Sequence, residues 1–333
     1  MRISTLRLLV LHVSARCDQA CAHCSLWRAN GDSRTEWTLE ERLTAIHEAK
    51  AAGAEALLLT GGEPLLSADA EPLARRARSL GLSVFVTTNG LGLGKARGWV
   101  LDCVDEAVVS LDGPAVAHDA SRGKGMFERL RASIVALGRP RPVLTARSVV
   151  SALNADVVEQ TVDAARELGF DRISFLPLDT RTDAFGGAPE ERAQMRPTAA
   201  QTRAFDDAVT RLAARGETGR FILEDESALR ALARPFGEAG APAVRCDAPE
   251  WSMVVEADGS VRPCFFQPVV GRADAAGIEV FRRSEGFSEA LRGLGPANST
   301  CAACVCPKWR GDSRRLTARF AEWVSAGLGR SVA

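Results

Sequence analysis

The 333-residue sequence contains no tyrosine, no excess of either charge and no long apolar run. Its 42 basic residues balance its 42 acidic ones, so the overall charge attracts neither nucleic acid nor an anionic membrane surface. A membrane-spanning helix needs ~20 apolar residues, and no segment approaches that length. The missing tyrosine accompanies an excess of arginine over lysine along the whole chain, which we interpret as coding bias and not as a functional signal.

The N-terminus lacks the features of a secretory signal peptide, because Arg7 interrupts its apolar residues and no small-residue cleavage site follows. With 46% hydrophobic and 25% charged residues, the composition is that of a globular protein with one large domain and a smaller one. The chain has nine cysteines, clustered as C-x3-C-x2-C and C-x2-C-x-C, which indicates metal binding in a reducing compartment. We therefore expect a cytoplasmic protein.

Apolar segments alternate with segments that have helical spacing or helix caps, such as the capping-box pair Thr38 and Glu41. This alternation predicts right-handed β-α-β units, one parallel sheet and the α/β class. Six units are too few for a closed eight-unit barrel, so we expect a partial barrel or a doubly wound sheet. In both, ligands bind at the carboxyl ends of the strands. The predicted strands are residues 6–14, 56–60, 84–88, 107–111, 143–150 and 172–176.

Three cysteines, Cys17, Cys21 and Cys24, follow the first predicted strand. Thiolates this close are expected to bind one soft metal centre, and three of them leave one metal position open. Gly61-Gly62-Glu63 follows the second strand, where two glycines let the backbone approach a ligand and the carboxylate offers an acceptor for an ammonium group. A zinc site with His23 as fourth ligand is the alternative, but it leaves Gly-Gly-Glu unexplained.

These two motifs, in this order and at this distance, resemble the radical S-adenosylmethionine (SAM) superfamily. The resemblance implies a partial (β/α)6 TIM-like barrel in which the three cysteines hold a [4Fe–4S] cluster. One iron of that cluster is then free for the amino and carboxylate groups of SAM, near Gly61, Gly62 and Glu63. His23 stands where the family often has an aromatic residue, and it would pack against the adenine or remain a solvated histidine.

A second resemblance, to the SPASM/twitch subgroup, covers residues 110–127. In that subgroup a serine on strand four and an arginine on strand five commonly hold the SAM carboxylate, and Ser110 and Arg147 match these positions. Arg122 is a third candidate for the same role. The alternative is that Ser110 fills space and Arg147 lies at the surface.

The C-terminal cysteines resemble the twitch arrangement of one auxiliary [4Fe–4S] cluster. Cys246 and Cys264 bracket a predicted β-hairpin, and Cys301 and Cys304 supply two more thiolates, with Cys306 as a possible replacement for Cys304. A structural zinc on the same four cysteines is the alternative. We predict a barrel over residues 1–183, a linker with helices over 184–240, a small twitch domain of hairpin and helix over 241–310, and a C-terminal helix and tail over 311–333.

The resemblance implies a 5′-deoxyadenosyl radical that takes hydrogen from an unactivated C–H bond. Our first expectation is an oxidoreductase that dehydrogenates an alcohol of an aminocyclitol or sugar intermediate in antibiotic biosynthesis. The auxiliary cluster would accept the electron, and a reductase with flavodoxin or ferredoxin would supply the first cluster.

The alternative is a maturase or epimerase of a peptide or sugar substrate. The cysteine motif begins at residue 17, which leaves no room ahead of it for the usual leader-binding domain. An epimerase needs a hydrogen-atom donor, for which Cys103 and Cys306 are candidates, although Cys103 is also explained as a buried small hydrophobe. A non-catalytic iron–sulfur or zinc protein is the third hypothesis.

Overall fold

The computed structural model describes residues 5–31, 36–233, 248–273, 277–294 and 298–302. Six parallel strands lie side by side in chain order, as the alternation of apolar segments predicts. One face of the sheet packs under helices and the other lines the inside of a partial barrel, which confirms the predicted fold class. The strands are β1 (Leu8–Ser14), β2 (Ala56–Gly61), β3 (Ser83–Thr88), β4 (Glu106–Ser110), β5 (Val143–Val150) and β6 (Arg172–Pro177).

Helices connect these strands along the outer face of the sheet. The first begins after Thr38, whose hydroxyl accepts a hydrogen bond from the Glu41 N–H while the Glu41 carboxylate accepts one from the Thr38 N–H, so the predicted capping box is present. Between β4 and β5 the chain forms two helices. The connecting helices are α1 (Leu39–Ala51), α2 (Ala70–Ser79), α3 (Arg97–Cys103), α4 (Ala115–Arg122), α5 (Met126–Leu137) and α6 (Val158–Glu167).

Strand β1 shows why a continuous apolar run forms the centre of the sheet. Leu9, Leu11 and Val13 are fully buried in the large core that includes the helices. Leu8 and Val10 are buried in a second cluster on the opposite face of the sheet. Because both faces of the strand are covered, its sequence is apolar at every position from 8 to 11.

The predicted hairpin extends the same sheet. β7 (Ser252–Val255) pairs in parallel with β1, and β8 (Ser260–Arg262) and β9 (Gly271–Arg272) continue it in antiparallel pairing. Within the described ranges the strands thus form one nine-stranded sheet, in which β1 lies between β2 and β7. The hairpin turn at residues 257–259 therefore lies at the same end of the sheet as the loop that follows β1.

The remaining helices flank the far edge of the barrel and the hairpin. None of the helices in the described part of the chain has the length and apolar composition to cross a bilayer. The domain boundaries given above stay a prediction. The helices are α7 (Ala199–Ala214), α8 (Glu226–Ala233), α9 (Ala248–Trp251), α10 (Gly277–Arg283), α11 (Glu285–Arg292) and α12 (Ser299–Ala302).

Candidate functional site

The three N-terminal cysteines lie in a loop at the carboxyl end of β1, which we call the cysteine loop (residues 15–25). Burial raises the pKa of the Cys17 thiol to about 12 and that of Cys21 to about 11, and it also raises the pKa of Cys24. Three neighbouring thiols, one buried and two partly buried, become thiolates together at neutral pH only when a cation compensates their charge. The donor set therefore fits a bound metal cluster.

The side chains of the described residues do not include three Cys, His, Asp or Glu groups already converged on a single ion position. A cubane cluster does not need such convergence, because each thiolate binds a different iron. The three cysteines are the residues that would hold such a cluster.

Backbone and side-chain hydrogen bonds from three segments hold the cysteine loop in place. In each case a backbone N–H of the loop donates. The acceptors lie in the 3-10 turn that follows the loop, at the end of α4 and in the chain after β6. The loop is therefore positioned by elements from both sides of the barrel opening. The contacts are Cys17 N to Asn30 Oδ1 at 2.9 Å, Ala22 N to Ser121 O at 2.8 Å and Ser25 N to Phe185 O at 2.7 Å.

The glycine pair after β2 packs directly against this loop. Gly61 has φ +124°, in the region that favours glycine, and a Cβ at Gly62 would lie 2.1 Å from the carbonyl oxygen of Arg16. The Gly62 N–H donates to Ser14 O at 2.8 Å, and the Glu63 N–H donates to Arg16 O at 2.7 Å. The close approach that the glycines permit is thus to the backbone of the cysteine loop.

Glu63 is buried and connects the ends of β2 and β3. Its Oε1 accepts hydrogen bonds from the Leu65 N–H at 3.0 Å and the Thr88 hydroxyl at 2.7 Å, and its Oε2 accepts one from the Asn89 N–H at 2.6 Å. Burial raises the pKa of Glu63 to about 7 against the opposing effect of these donors. The Asn89 side chain in turn donates to Asp18 of the cysteine loop, so Glu63 supports the loop through Asn89.

Substitution Glu63→Gln is expected to lower the free energy of unfolding by about 2 kcal/mol, although the two side chains have the same shape. In the wild type the backbone N–H groups of Leu65 and Asn89 each donate to one carboxylate oxygen of Glu63. Whichever way the new amide is turned, its NH2 group faces one of these two N–H groups, and that hydrogen bond is lost. Urea unfolding at neutral pH measures the loss. The control is Glu71→Gln, whose exposed pair with Arg75 should contribute less than about 0.5 kcal/mol. Equal stability of the Glu63→Gln variant and the wild type would contradict the expectation.

A buried ion pair lies on the other side of the cysteine loop. Asp112, which follows β4, is fully buried, and its Oδ2 is 2.7 Å from Nε of Arg122 at the end of α4. Asp112 also accepts from the Ser121 hydroxyl at 2.9 Å. Arg122 Nη1 donates to Cys21 Sγ at 3.6 Å, so this cation contacts a cysteine thiol directly.

His23 belongs to the same network. Its Nδ1 is 3.1 Å from Ser121 Oγ, and its side chain is buried. Burial lowers the pKa of His23 to about 4, although the neighbouring Asp112 acts in the opposite direction. His23 is therefore a neutral, buried contact between the cysteine loop and α4. The predicted packing against an adenine stays a prediction.

Ser110 and Arg147, the two residues predicted to hold a carboxylate, are direct neighbours in the β4–β5 register. Both are half-buried, and Nε of Arg147 has no hydrogen-bond partner among the described atoms. Burial raises the pKa of nearby Glu224, while a hydrogen bond from Ser174 and the charge of Arg147 oppose that rise. The pair thus offers an incompletely bonded guanidinium beside a hydroxyl.

The structure separates Cys103 from these loops. It ends α3, ahead of β4, and is 4% exposed, whereas the cysteine loop lies at the opposite ends of the strands. This placement fits a buried small hydrophobe and disfavours a role as hydrogen-atom donor.

The C-terminal cysteines are described in part. Gln267 connects two of them, because its N–H donates to Cys264 O at 3.2 Å and its amide donates to Cys301 Sγ at 3.2 Å. This contact brings the segments that carry Cys264 and Cys301 together, as an auxiliary cluster requires. Cys246, Cys304 and Cys306 lie outside the described residues.

A further network was missed by the sequence reasoning. His12, which faces the barrel interior from β1, lies with Nδ1 2.8 Å from Glu256 Oε2 at the end of β7. Arg262 holds the other oxygen of Glu256 and also pairs with Asp183 at 2.8 Å. No local pattern marks these residues, since they meet only through the pairing of β1 with β7.

Glu256 is expected to stabilise the fold in a pH-dependent way. Burial raises its pKa, but the hydrogen bond and charge of His12 and the charge of Arg262 outweigh burial and lower the pKa to about 2 from 4.5. A lowered carboxyl pKa contributes about 3 kcal/mol above pH ~4.5, and this contribution declines as pH falls from ~4.5 towards ~2. The difference in unfolding free energy between wild type and Glu256→Gln should therefore shrink between pH 6 and pH 3. The exposed Glu128→Gln is the control, and a difference that does not change with pH would contradict the expectation.

Comparisons with known proteins agree with this geometry. The sequence model of the family described as "Radical SAM superfamily" matches residues 11–184. The chain is 30% identical over 318 residues to a PqqA peptide cyclase of Ruegeria pomeroyi, an alignment covering 89% of this chain and 79% of that protein. It is 33% identical over 172 residues to an AdoMet-dependent heme synthase of Methanosarcina barkeri, covering 49% of this chain and 48% of that protein.

Among solved structures, SuiB of Streptococcus suis bound to precursor peptide SuiA shares the fold. The TM-score is 0.63 at 16% identity, and the match covers 92% of this chain and 72% of that chain.

Proposed function

The chain belongs to the radical SAM superfamily, and from that membership we propose that it is a maturase that crosslinks a peptide substrate. Its cofactors are SAM and a [4Fe–4S] cluster, as in its relatives, which are of the SPASM/twitch type. Together these cofactors supply a 5′-deoxyadenosyl radical that removes hydrogen from an unactivated C–H bond. What the chain itself contributes is the placement of the cofactors and of the peptide.

The observation that carries the proposal is the similarity to the Ruegeria pomeroyi peptide cyclase over 79% of that protein. The similarity to a heme synthase covers about half of each chain and says less about the substrate. The dehydrogenation of an aminocyclitol, which we expected from cysteine spacing, has no counterpart in these relatives. The peptide alternative is therefore the better supported one.

Three groups of residues would hold the cofactors. Cys17, Cys21 and Cys24 would hold the cluster. Glu63 has four acceptor positions on its carboxylate, and three are occupied by the donors described above, which leaves one for the amino group of SAM. An ammonium at that position would keep the carboxylate ionised at neutral pH, against the effect of burial.

The SAM carboxylate would lie against Ser110 and Arg147. A guanidinium with a free N–H and a neighbouring hydroxyl bind a carboxylate with several charge-assisted hydrogen bonds. Arg122 is less available for this role, because Asp112 and Cys21 already occupy it. We assign to Cys246, Cys264, Cys301 and Cys304 an auxiliary [4Fe–4S] cluster, for which the contact between Gln267 and Cys301 is the support within the described residues.

The proposal is tested by turnover under anaerobic conditions with reconstituted protein, dithionite and SAM. The probe is a synthetic copy of a short peptide encoded beside the gene, and an aminocyclitol is the comparison substrate. We expect 5′-deoxyadenosine together with a peptide that has lost two hydrogens, a loss of ~2 Da by mass spectrometry. One hydrogen atom leaves in 5′-deoxyadenosine. The second leaves as a proton when the new bond forms, and its electron would pass to the auxiliary cluster.

Three other outcomes each have a definite meaning. A peptide of unchanged mass with deuterium taken up from solvent would indicate epimerisation. Oxidation of the aminocyclitol with an unchanged peptide would restore our first expectation and overturn the peptide assignment. Absence of 5′-deoxyadenosine in all samples would favour a non-catalytic iron–sulfur protein.

A further inference from the structure

Two buried arginines, carried by different elements of the fold, lie near the cysteine loop. Arg122 reaches it from α4, as described above, with its Nη1 on Cys21 Sγ. Arg192 lies in the 3-10 turn Pro189–Met195, beyond β6, and is 2% exposed. A buried guanidinium is rare without a purpose or a partner, because its removal from water is costly.

Arg192 is held by carbonyl groups and not by a carboxylate. Its Nε donates to Asp179 O at 2.8 Å and its Nη1 donates to Gly186 O at 2.7 Å, and a third carbonyl, of Thr182, accepts from Nη2. No carboxylate of the described residues forms an ion pair with it. Its N–H groups are therefore hydrogen-bonded, but no carboxylate of the described residues neutralises its positive charge.

Residues 179–186, whose carbonyl groups accept the hydrogen bonds of Arg192, pack directly on the cysteine loop. Phe185 O accepts from the Ser25 N–H at 2.7 Å, and a Cβ at Gly186 would lie 3.1 Å from backbone atoms of Ser25 and Leu26. These contacts place the guanidinium next to the backbone that follows Cys24.

Asp112 compensates Arg122 only in part. The carboxylate is shared between the guanidinium, the Ser121 hydroxyl and the Val149 N–H at 2.8 Å, and Arg122 still directs Nη1 to a sulfur. The cysteine loop thus has two cations near it, one paired with a carboxylate and one not, and both are removed from water. In such a setting charges act strongly on one another.

We infer that Arg122 and Arg192 raise the reduction potential of the cluster that Cys17, Cys21 and Cys24 would hold. Reduction adds one electron from a low-potential reductant, such as dithionite, and no proton. The reduced cluster carries one more negative charge, so a nearby buried cation stabilises the reduced form more than the oxidised form. An N–H donated to a ligand sulfur acts in the same direction.

The inference depends on the cluster of the proposed function but not on the peptide substrate. Arg122 and Arg192 would act on the cluster through their positive charge. Binding of the SAM carboxylate is a separate role, which Ser110 and Arg147 would perform.

The test is a dye-mediated redox titration of the full-length reconstituted protein, followed by the EPR signal of the reduced cluster. The signal of this cluster is identified as the one lost in Cys21→Ala. At the potential where the wild-type cluster is half reduced, Arg122→Met and Arg192→Met should each lower the ratio of reduced to oxidised cluster about tenfold, which corresponds to ~59 mV. Arg122→Lys, which keeps the charge, should shift it less. The control is Arg131→Met, an exposed helix residue paired with Glu128.

Unchanged potentials in both Met variants, at wild-type iron content, would overturn the inference and leave the proposed function intact. Failure of the wild-type protein to assemble any cluster would overturn both. If one of the two Met variants does not retain iron, the reduction potentials of the other Met variant and of Arg122→Lys decide the question. A shift in potential is expected for each of them separately. A merely structural role would change iron content or urea stability without moving the potential.

Discussion

Replacing Cys21 with alanine is expected to abolish formation of 5′-deoxyadenosine and to remove the iron of one cluster. Three thiolates are the minimum with which this loop holds a cubane that keeps one iron free, and two leave the cluster exposed to loss. The loss should be to below detection, because the cysteine loop contains no thiols other than Cys17 and Cys24 that could replace Cys21. Iron analysis, EPR of the reduced protein and chromatography of the SAM products measure it.

Cys103 provides the matched control. It is as buried as Cys21, but it lies at the end of α3 and takes part in the large hydrophobic core. Cys103→Ala should therefore cost on the order of 1 kcal/mol in stability and leave iron content and SAM cleavage unchanged. Equal SAM cleavage by Cys21→Ala and Cys103→Ala would show that the loop is not the site of the cluster.

The second large effect is expected from Gly62→Ala. A methyl group at this position would lie 2.1 Å from Arg16 O and 2.7 Å from Ala15 O, both backbone atoms of the cysteine loop. Because a backbone cannot move aside as a flexible side chain does, the loop must shift away from β2. We expect a loss of about 3 kcal/mol in unfolding free energy and at least about a tenfold loss of cluster occupancy after reconstitution.

Gly98→Ala tests whether the effect comes from that contact. Gly98 lies in α3 with no other atoms within 4 Å of an added Cβ, so alanine there should be neutral or should stabilise the helix by about 0.5–1 kcal/mol. Iron content and urea unfolding of the two variants are compared side by side. Normal iron content in Gly62→Ala would show that the glycine serves another purpose, such as the approach of a ligand.

Local patterns in the sequence predict the barrel well, because each unit is encoded by neighbouring residues. The capping box at Thr38, the continuous apolar run of β1 and the hairpin signal at Gly259 depend on contacts within a few residues. The position of the functional loops also follows from the sequence, since parallel strands bring their carboxyl ends to one edge. Cys17 and Glu63 thus lie at the same end of the sheet, as expected.

Contacts between distant segments were not predictable in the same way. Arg122 was a candidate for the SAM carboxylate, but the helix that carries it, α4, ends against the cysteine loop and gives the guanidinium to Asp112 and Cys21. The charge of Arg192 near Cys24 depends on how the chain after β6 folds back. No periodicity or spacing encodes such contacts, because they result from packing of whole elements.

The position of β1 has a consequence for how this chain is made. Of the nine described strands, β1 is synthesised first. One of its two neighbours is β7, in which Ser252 pairs with Leu8, more than 240 residues earlier in the chain. Until the ribosome has delivered that partner, β1 has an open edge with the apolar residues Leu8–Leu11. A shortened chain that ends before β7 would keep this edge permanently, and apolar open edges associate with one another. We therefore expect the barrel strands and β7 to fold as one unit, and not as two modules that can be exchanged.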